Sequence, residues 1–533
     1  MKWRQLTACL LAALLGASTI IIPASACTAV YVGADASNDG TLMIARSNDH
    51  QSVRASYIEL VPGKENEPGR KMPVNNDQTV FADLPATTYK YTTTPWMDST
   101  TDLYGSPKDA ACAANEHGVA MTMSVTSFAN SAALAADPLV EDGLTEFTAN
   151  DLVICQSKSA AEAVGVLLAL LDQYGSSECN IAIIADQTEA WYVEIYTGYQ
   201  YAAVKLPSDK VAVFGNEYSL ESLADYPEHM TSDSLITLAE ENGFAVYDAN
   251  DHLNLLDTYS GTQVITDYSH MRTWIGHRIL SDNADYAKYS KQQKYPLLFS
   301  PNNQVSLQDV MEIMRNRFEG TEYDVDATGR VDMRVIGTDT SLSTHILQIY
   351  PNVPADMSCV TWASLGPPLC GIFVPVSNFC TGISEDFGRN QPADEKSIFD
   401  TEHYPYYAFK ELCTLGLVDY KVYGTPVREY WHRAESNVIS SFQEVIKMTA
   451  QNYETDPNES AEYVTGFCNS IQTQAFADAK MILNTVKWMM SSNSNTMKLG
   501  RNPETNELLD TERVLAPITI SMDSTKYSAV PEP

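Results

Sequence analysis

The sequence predicts an α+β fold that is rich in sheet first and helical last. Two observations carry this. Strand-like runs at 181–185, 191–196, 201–206 and 211–214 follow one another closely enough for an antiparallel meander. Past about residue 390 the texture changes to long amphipathic helices, so helices pack against strands rather than alternating with them. Layers of helix, sheet, sheet and helix satisfy this pattern, and so does a single covered sheet. Periodicity does not choose between them.

The elements follow in order. Lys2 and Arg4 open a segment that is nearly all apolar from Leu6 to Ile22, ended by Pro23 and the small residues Ala24 and Ala26. That is an export signal, short for a bilayer span, and residues 1–26 are expected to be removed. The chain after it opens with a hairpin: strands at 28–32 and 41–45 around the turn Asn38-Asp39-Gly40. The polar stretch 62–76 reads as a surface loop, and 113–124 as strand around a turn at 115–118.

Ser159 with Glu162 makes a capping box ahead of Val164, Leu167, Leu168 and Leu171, predicting a helix over 159–174. Ser306 with Asp309 predicts a second, running through Phe318 to a stop at Gly320. Helices are expected near 428–453 and 461–490, the first striped by Trp431, Val438, Phe442, Val445 and Ile446. Trp488, Met489 and Met490 read as core filling. The predicted organisation is therefore a signal (1–26), a mixed α+β domain (27–390), a helical extension packed on it (391–500) and an irregular tail (501–533).

The 533 residues suffice for a large core. Asp and Glu outnumber Lys and Arg by 68 to 34, a formal charge of −34, which argues against nucleic acid or anionic lipid as partner. Of ten cysteines, Cys9 leaves with the signal, and eight besides Cys27 remain in a chain read as exported, so disulfides are an option whose pairing spacing does not give. No Cys-x-x-Cys or His-Glu-x-x-His is present, so a structural or catalytic zinc site has no support.

The chemistry concentrates where the signal ends. Cleavage after Ala26 would start the mature chain at Cys27, with a thiol and a free α-amine on one residue. An α-amine has a pKa of about 7.7 to 8.0, against about 10.4 for Lys, so it can serve as a tethered base and no catalytic His is required. His117, His270, His277 and His345 are then given ordinary structural roles. The same residues admit two other readings: a lipoprotein cysteine carrying a thioether-linked lipid, or a structural cysteine beside the cut. On the returning strand, Arg46 lies three residues before Asp49, where a guanidinium would lower the thiol pKa and a carboxylate would hold the ammonium. An exposed ion pair at a strand end has the same pattern.

Cys-Thr-Ala-Val-Tyr-Val-Gly at Cys27 to Gly33, Asp39-Gly-Thr-Leu-Met-Ile-Ala-Arg-Ser-Asn-Asp through Asp49, and Asn115-Glu-His-Gly-Val-Ala-Met together resemble the dipeptidase family of N-terminal-nucleophile cysteine peptidases. That family is related to penicillin V acylases and bile salt hydrolases. The likeness continues through Phe214-Gly-Asn-Glu-Tyr, Tyr268-Ser-His-Met-Arg-Thr-Trp and Trp362-Ala-Ser-Leu-Gly-Pro-Pro. The resemblance implies an αββα sandwich with a helical extension and hydrolysis of dipeptides or very short peptides without a cofactor. By it Cys27 is the nucleophile and base, Arg46 and Asp49 support it, Asn216 falls at an oxyanion donor, and Arg272 matches an arginine kept near the nucleophile. Acylase relatives carry an Asn shortly after the Asn-Glu-x-Gly turn, where this chain has Ser124-Val125-Thr126, which tilts the substrate toward peptides over penicillin or bile-salt amides. The partners expected are short peptides outside a bacterial cell or in its envelope, with a homo-oligomer left open. Amide acylase and lipid-anchored binding protein are the alternatives.

Overall fold

Fourteen strands build two antiparallel sheets in the computed structural model, which describes residues 27–50, 54–96, 110–123, 126–260, 266–330, 332–391, 398–497, 516–523 and 525–527. In chain order they are β1 (Ala29–Val32), β2 (Leu42–Asp49), β3 (Glu59–Val61), β4 (Tyr91–Pro95), β5 (Ala110–Asn115), β6 (Ala120–Met123), β7 (Asn180–Ala185), β8 (Ala190–Ile195), β9 (Tyr201–Leu206), β10 (Val211–Phe214), β11 (His229–Thr231), β12 (Ser341–Ile349), β13 (Cys359–Leu365) and β14 (Val374–Ser377). The first sheet runs β10-β1-β2-β12-β13-β14 and the second β11-β9-β8-β7-β6-β5-β4-β3. The expected signal and most of the tail lie outside the described residues.

Strand alternation sorts the side chains into three layers of core. Ala29, Tyr31, Ile44 and Leu347 of the first sheet meet Cys112, Ile183 and Tyr192 of the second. The intervening Val30, Val32, Met43 and Ala45 point the other way, against helices α3 (Asp267–Leu280), α4 (Leu307–Met314), α5 (Pro405–Gly416), α6 (Thr425–Asn452) and α7 (Pro457–Met497). On the far side of the second sheet, Met121, Ile184 and Val193 pack with α1 (Glu146–Ile154) and α2 (Ala160–Tyr174). The order of layers is therefore helix, sheet, sheet, helix, one of the two arrangements the periodicity allowed.

Several expectations change in detail. The run 211–214 is not a fourth strand of the meander: β10 crosses to the other sheet and pairs with β1, Ala29 opposite Phe214. Strand spacing carries no record of which sheet is joined. The stretch 62–76 includes two short ladder strands, Lys64–Glu65 against Thr87–Thr88 and Lys71–Pro73 against Phe81–Asp83. Helix α2 has the predicted cap, Ser159 accepting from the Glu162 N–H at 3.2 Å.

Helix α4 has its full capping box but stops at Met314 rather than near Phe318. Arg315 is wholly buried there, ion-paired to Glu435 of α6 at 2.5 Å and donating to the Pro368 and Gly371 carbonyls at 2.8 and 3.0 Å. Phe318 then takes a positive φ of 64°. A tertiary ion pair thus outranks a local periodic pattern. Trp488 is 65% exposed and fills no core, while Met489 and Met490 pack partly against it. Within the expected irregular tail, Ile518, Ile520 and Tyr527 are buried, and the Tyr527 hydroxyl donates to Asp478 of α7 at 2.9 Å.

Candidate active site

Cys27 and Thr28 lead directly into β1, and the antiparallel register sets Ala29 opposite Arg46 on β2. That pairing brings the Arg46 side chain into the layer between the sheets, beside the Cys27 sulfur, with both residues fully buried. Arg46 Nη1 donates to Cys27 Sγ at 3.1 Å and to the Ser47 carbonyl at 3.2 Å. Its Nη2 donates to the Ala111 carbonyl at 2.7 Å, and Nε to Thr122 Oγ1 at 3.0 Å. A planar fork with its donors so assigned has one orientation.

Burial pushes the Cys27 thiol above its ordinary pKa. Arg46 opposes that, as expected of a guanidinium, while the Asp49 and Glu146 carboxylates add to it and a backbone bond at Asp49 works against it. With Cys27 still joined to Ala26, desolvation wins.

Asp49 is buried, so the exposed ion pair at a strand end does not describe it. Ser47 Oγ donates to its carboxylate at 2.8 Å, and the hydroxyl of Ser341 and the guanidinium of Arg334 donate to it as well. Ser47 ties this cluster to the chain start, its hydroxyl accepting from the Thr28 N–H at 3.1 Å.

Arg272, on α3, comes from the other side. Its Nη1 donates to the Cys27 carbonyl and, at 2.8 Å, to Thr28 Oγ1; its Nη2 donates to Asn216 Oδ1 at 2.7 Å. Burial, aided by the neighbouring Arg334, lowers its pKa to about 10. Asn216 in turn donates through Nδ2 to the Thr126 carbonyl at 2.7 Å. Gly215 is required here: a Cβ on it would lie 2.7 Å from the Ser269 carbonyl and 3.1 Å from Arg272 Cζ.

Cys27, Arg46, Asp49, Asn216 and Arg272 thus converge on one place. Four further groups join them without a signal in the sequence. Arg334 lies on a loop, Thr122 on the second sheet, and His345 opposite Arg46 on β12. Glu146, in the first turn of α1, accepts from Asn180 Nδ2 at 2.8 Å and from Thr126 Oγ1 at 3.3 Å. Glu178, whose carboxylate accepts from the Glu146 N–H at 2.7 Å, is held well above the usual carboxylate range by burial and by the charge of Glu146. Ser124 and Val125, where a second amide donor was sought, lie outside the described residues.

The described residues contain no group of three or more His, Cys, Asp or Glu arranged for a metal ion, and no helix long and apolar enough to cross a membrane. The nine described cysteines are buried and unpaired by disulfides. A cavity of about 680 Å³ lined by Tyr31, Leu42, Lys205, Pro207, Glu228 and Leu297 contains none of the five predicted site residues.

The sequence pattern of Peptidase family C69 matches residues 26–433. Probable dipeptidase B of Lactococcus lactis subsp. lactis is 29% identical over 479 residues, covering 88% of this chain and 96% of that protein. A probable dipeptidase of Latilactobacillus sakei is 28% identical over 460 residues, 81% of this chain and 92% of that one. Among solved structures, a conjugated bile acid hydrolase from Clostridium perfringens is similar over 68% of this chain and 95% of its own, at 12% identity and a TM-score of 0.31.

Proposed function

The chain belongs to peptidase family C69, and on that footing we propose that it is an exported cysteine-type dipeptidase whose mature form begins at Cys27. The thiol attacks the scissile carbonyl of a dipeptide or very short peptide, an acyl-enzyme forms, and the C-terminal portion leaves as a free amine. The α-amine of Cys27 takes the thiol proton and delivers it to that leaving amine. Water then attacks the thioester with the same amine as base, which frees the acyl portion and restores the thiol.

The observation that carries this reading is the contact of Arg46 Nη1 with Cys27 Sγ at 3.1 Å, at the residue with which the proposed mature chain begins. In the uncleaved chain burial keeps the thiol protonated. Release of residues 1–26 sets an ammonium on the same residue, adds a second positive charge beside the sulfur, and moves the balance toward thiolate. Cleavage is in this account the activating step. Asp49 is assigned to the new ammonium, and the Asn216 N–H not given to Thr126 to the developing oxyanion.

The names of the relatives favour peptides over other amides as substrate. The full burial of Cys27 between the sheets weighs against a lipid on its sulfur. No cofactor enters the scheme. Mass spectrometry of the mature N-terminus, with Cys27→Ser and Cys27→Ala assayed on dipeptides, penicillin V and conjugated bile salts, tests it. The expected result is a chain starting at unmodified Cys27 and dipeptide turnover lost in both variants. Turnover by the Ala variant, or a start elsewhere, ends the reading.

A further inference from the structure

Behind Arg46 the site continues one residue deeper. His345 on β12 is the register partner of Arg46 on β2, so both side chains enter the layer between the sheets at the same height. There they converge on one hydroxyl of the second sheet: Thr122 Oγ1 lies 3.0 Å from Arg46 Nε and 2.8 Å from His345 Nε2. The Ala111 carbonyl, which takes Arg46 Nη2, is 3.4 Å from the same hydroxyl. All three side chains are buried, His345 completely.

The donors and acceptors close in one way. Arg46 Nε only donates, so it occupies a lone pair of Thr122. His345 Nδ1 meets no hydrogen-bond partner among the described residues. A buried N–H without an acceptor costs more than a buried lone pair, so the tautomer that fits carries its hydrogen on Nε2. Nε2–H then donates to Thr122, which gives its own proton to Ala111. Burial, reinforced by Arg46, holds the imidazole well below its usual pKa, in the neutral form this pattern needs.

We propose that His345 is a positioning residue for the nucleophile: through Thr122 it fixes the Arg46 guanidinium so that Nη1 faces the Cys27 sulfur. The proposal rests on Cys27 being the nucleophile. It makes the arginine's effect on the thiol depend on a donor two side chains away, which a bare ion pair would not require.

The test uses the mature enzyme and two readouts: the pH dependence of Cys27 alkylation, followed by mass spectrometry of the N-terminal peptide, and kcat and KM on a dipeptide. His345→Leu and Thr122→Val are expected to raise the alkylation midpoint by about one pH unit and lower kcat about tenfold, with KM within about twofold. His345→Gln, which restores an N–H donor, is expected to recover both. Thr122→Val also removes the acceptor of Arg46 Nε directly, so the variants at His345 decide, and His345→Met, which carries no donor, stands in should the Leu variant not fold. Parental midpoint and kcat in these variants, or a Gln variant as impaired as Leu, overturn the proposal. Alkylation needs no substrate, so failure to cleave dipeptides would sink the functional reading while the midpoints still judge His345.

Discussion

Arg272 Nη2 donates to Asn216 Oδ1 at 2.7 Å while Nη1 of the same guanidinium holds the carbonyl of Cys27. One rigid group therefore fixes both the nucleophile's backbone and the face of the amide assigned to the oxyanion. The ammonium of Lys is a point charge on a flexible stem and cannot span these acceptors. Arg272→Lys is expected to fold and to lose about a hundredfold in kcat, the scale of a misplaced oxyanion donor. Steady-state kinetics on a dipeptide check this, and a kcat within about twofold of the parent counts against it.

Asp49 and Arg334 form a buried pair. Removing the guanidinium takes a buried carboxylate's ion-pair partner away, so Arg334→Ala is expected to cost about 3 kcal/mol in urea unfolding. Adding Asp49→Asn removes the uncompensated charge and should return much of that loss. Activity should stay low in the double variant, because the carboxylate assigned to the ammonium is gone. Stability unmoved by the single change would show that the pair does not hold the site.

Glu146 raises the Cys27 thiol and also the Glu178 carboxyl. Glu146→Gln keeps the hydrogen-bond acceptor for Asn180 and removes the charge. The pH midpoint of Cys27 alkylation should therefore move down, and Glu178 should titrate closer to an ordinary carboxylate. Alkylation profiles and carboxylate NMR shifts read the two separately. An upward move at Cys27 would mean that Glu146 acts through packing instead.

The part of the site legible beforehand is the part the chain writes contiguously. Cys27, Arg46 and Asp49 fall on one hairpin of neighbouring strands, although the connection between them is the nine-residue loop 33–41, tied to Ser208, Lys210 and Val305, rather than the tight turn expected at Asn38-Asp39-Gly40. Asn216 and Arg272 sit on separate elements, and only family resemblance marked them. Thr122 and Arg334 were invisible: one reaches Arg46 across the gap between two sheets, the other leaves a loop without periodicity. The sheet change of β10 was lost for the same reason, since a strand's residues do not name its neighbour. Helices α6 and α7 were readable because a long apolar stripe is a local signal, whereas burial of Ile518 and Ile520 depends on a surface those helices create.

Glu312 links α4 to α6 and gives a pH dependence far from the chemistry. Its carboxylate accepts from Arg428 Nε at 3.1 Å and Arg315 Nη1 at 3.3 Å, and lies 3.2 Å from His432 Nδ1. Burial pushes the carboxyl up, but Arg315 and Arg428 outweigh it and hold the pKa at about 2, from an ordinary 4.5. A folded-state value below the unfolded one means that the unfolded chain binds the proton more readily. The stabilisation is therefore complete above about pH 5 and disappears as the pH falls toward 2. At about 1.4 kcal/mol per unit the shift amounts to about 3 kcal/mol, and with the side chain 31% exposed, screening reduces this to about 2. Glu312→Gln is expected to lose that amount in urea unfolding at pH 7, and the gap from the parent should narrow as the pH is lowered from 5 to 3 and close only toward pH 2. A gap of constant size across that range would assign the effect of Glu312 to packing between the helices and not to its charge.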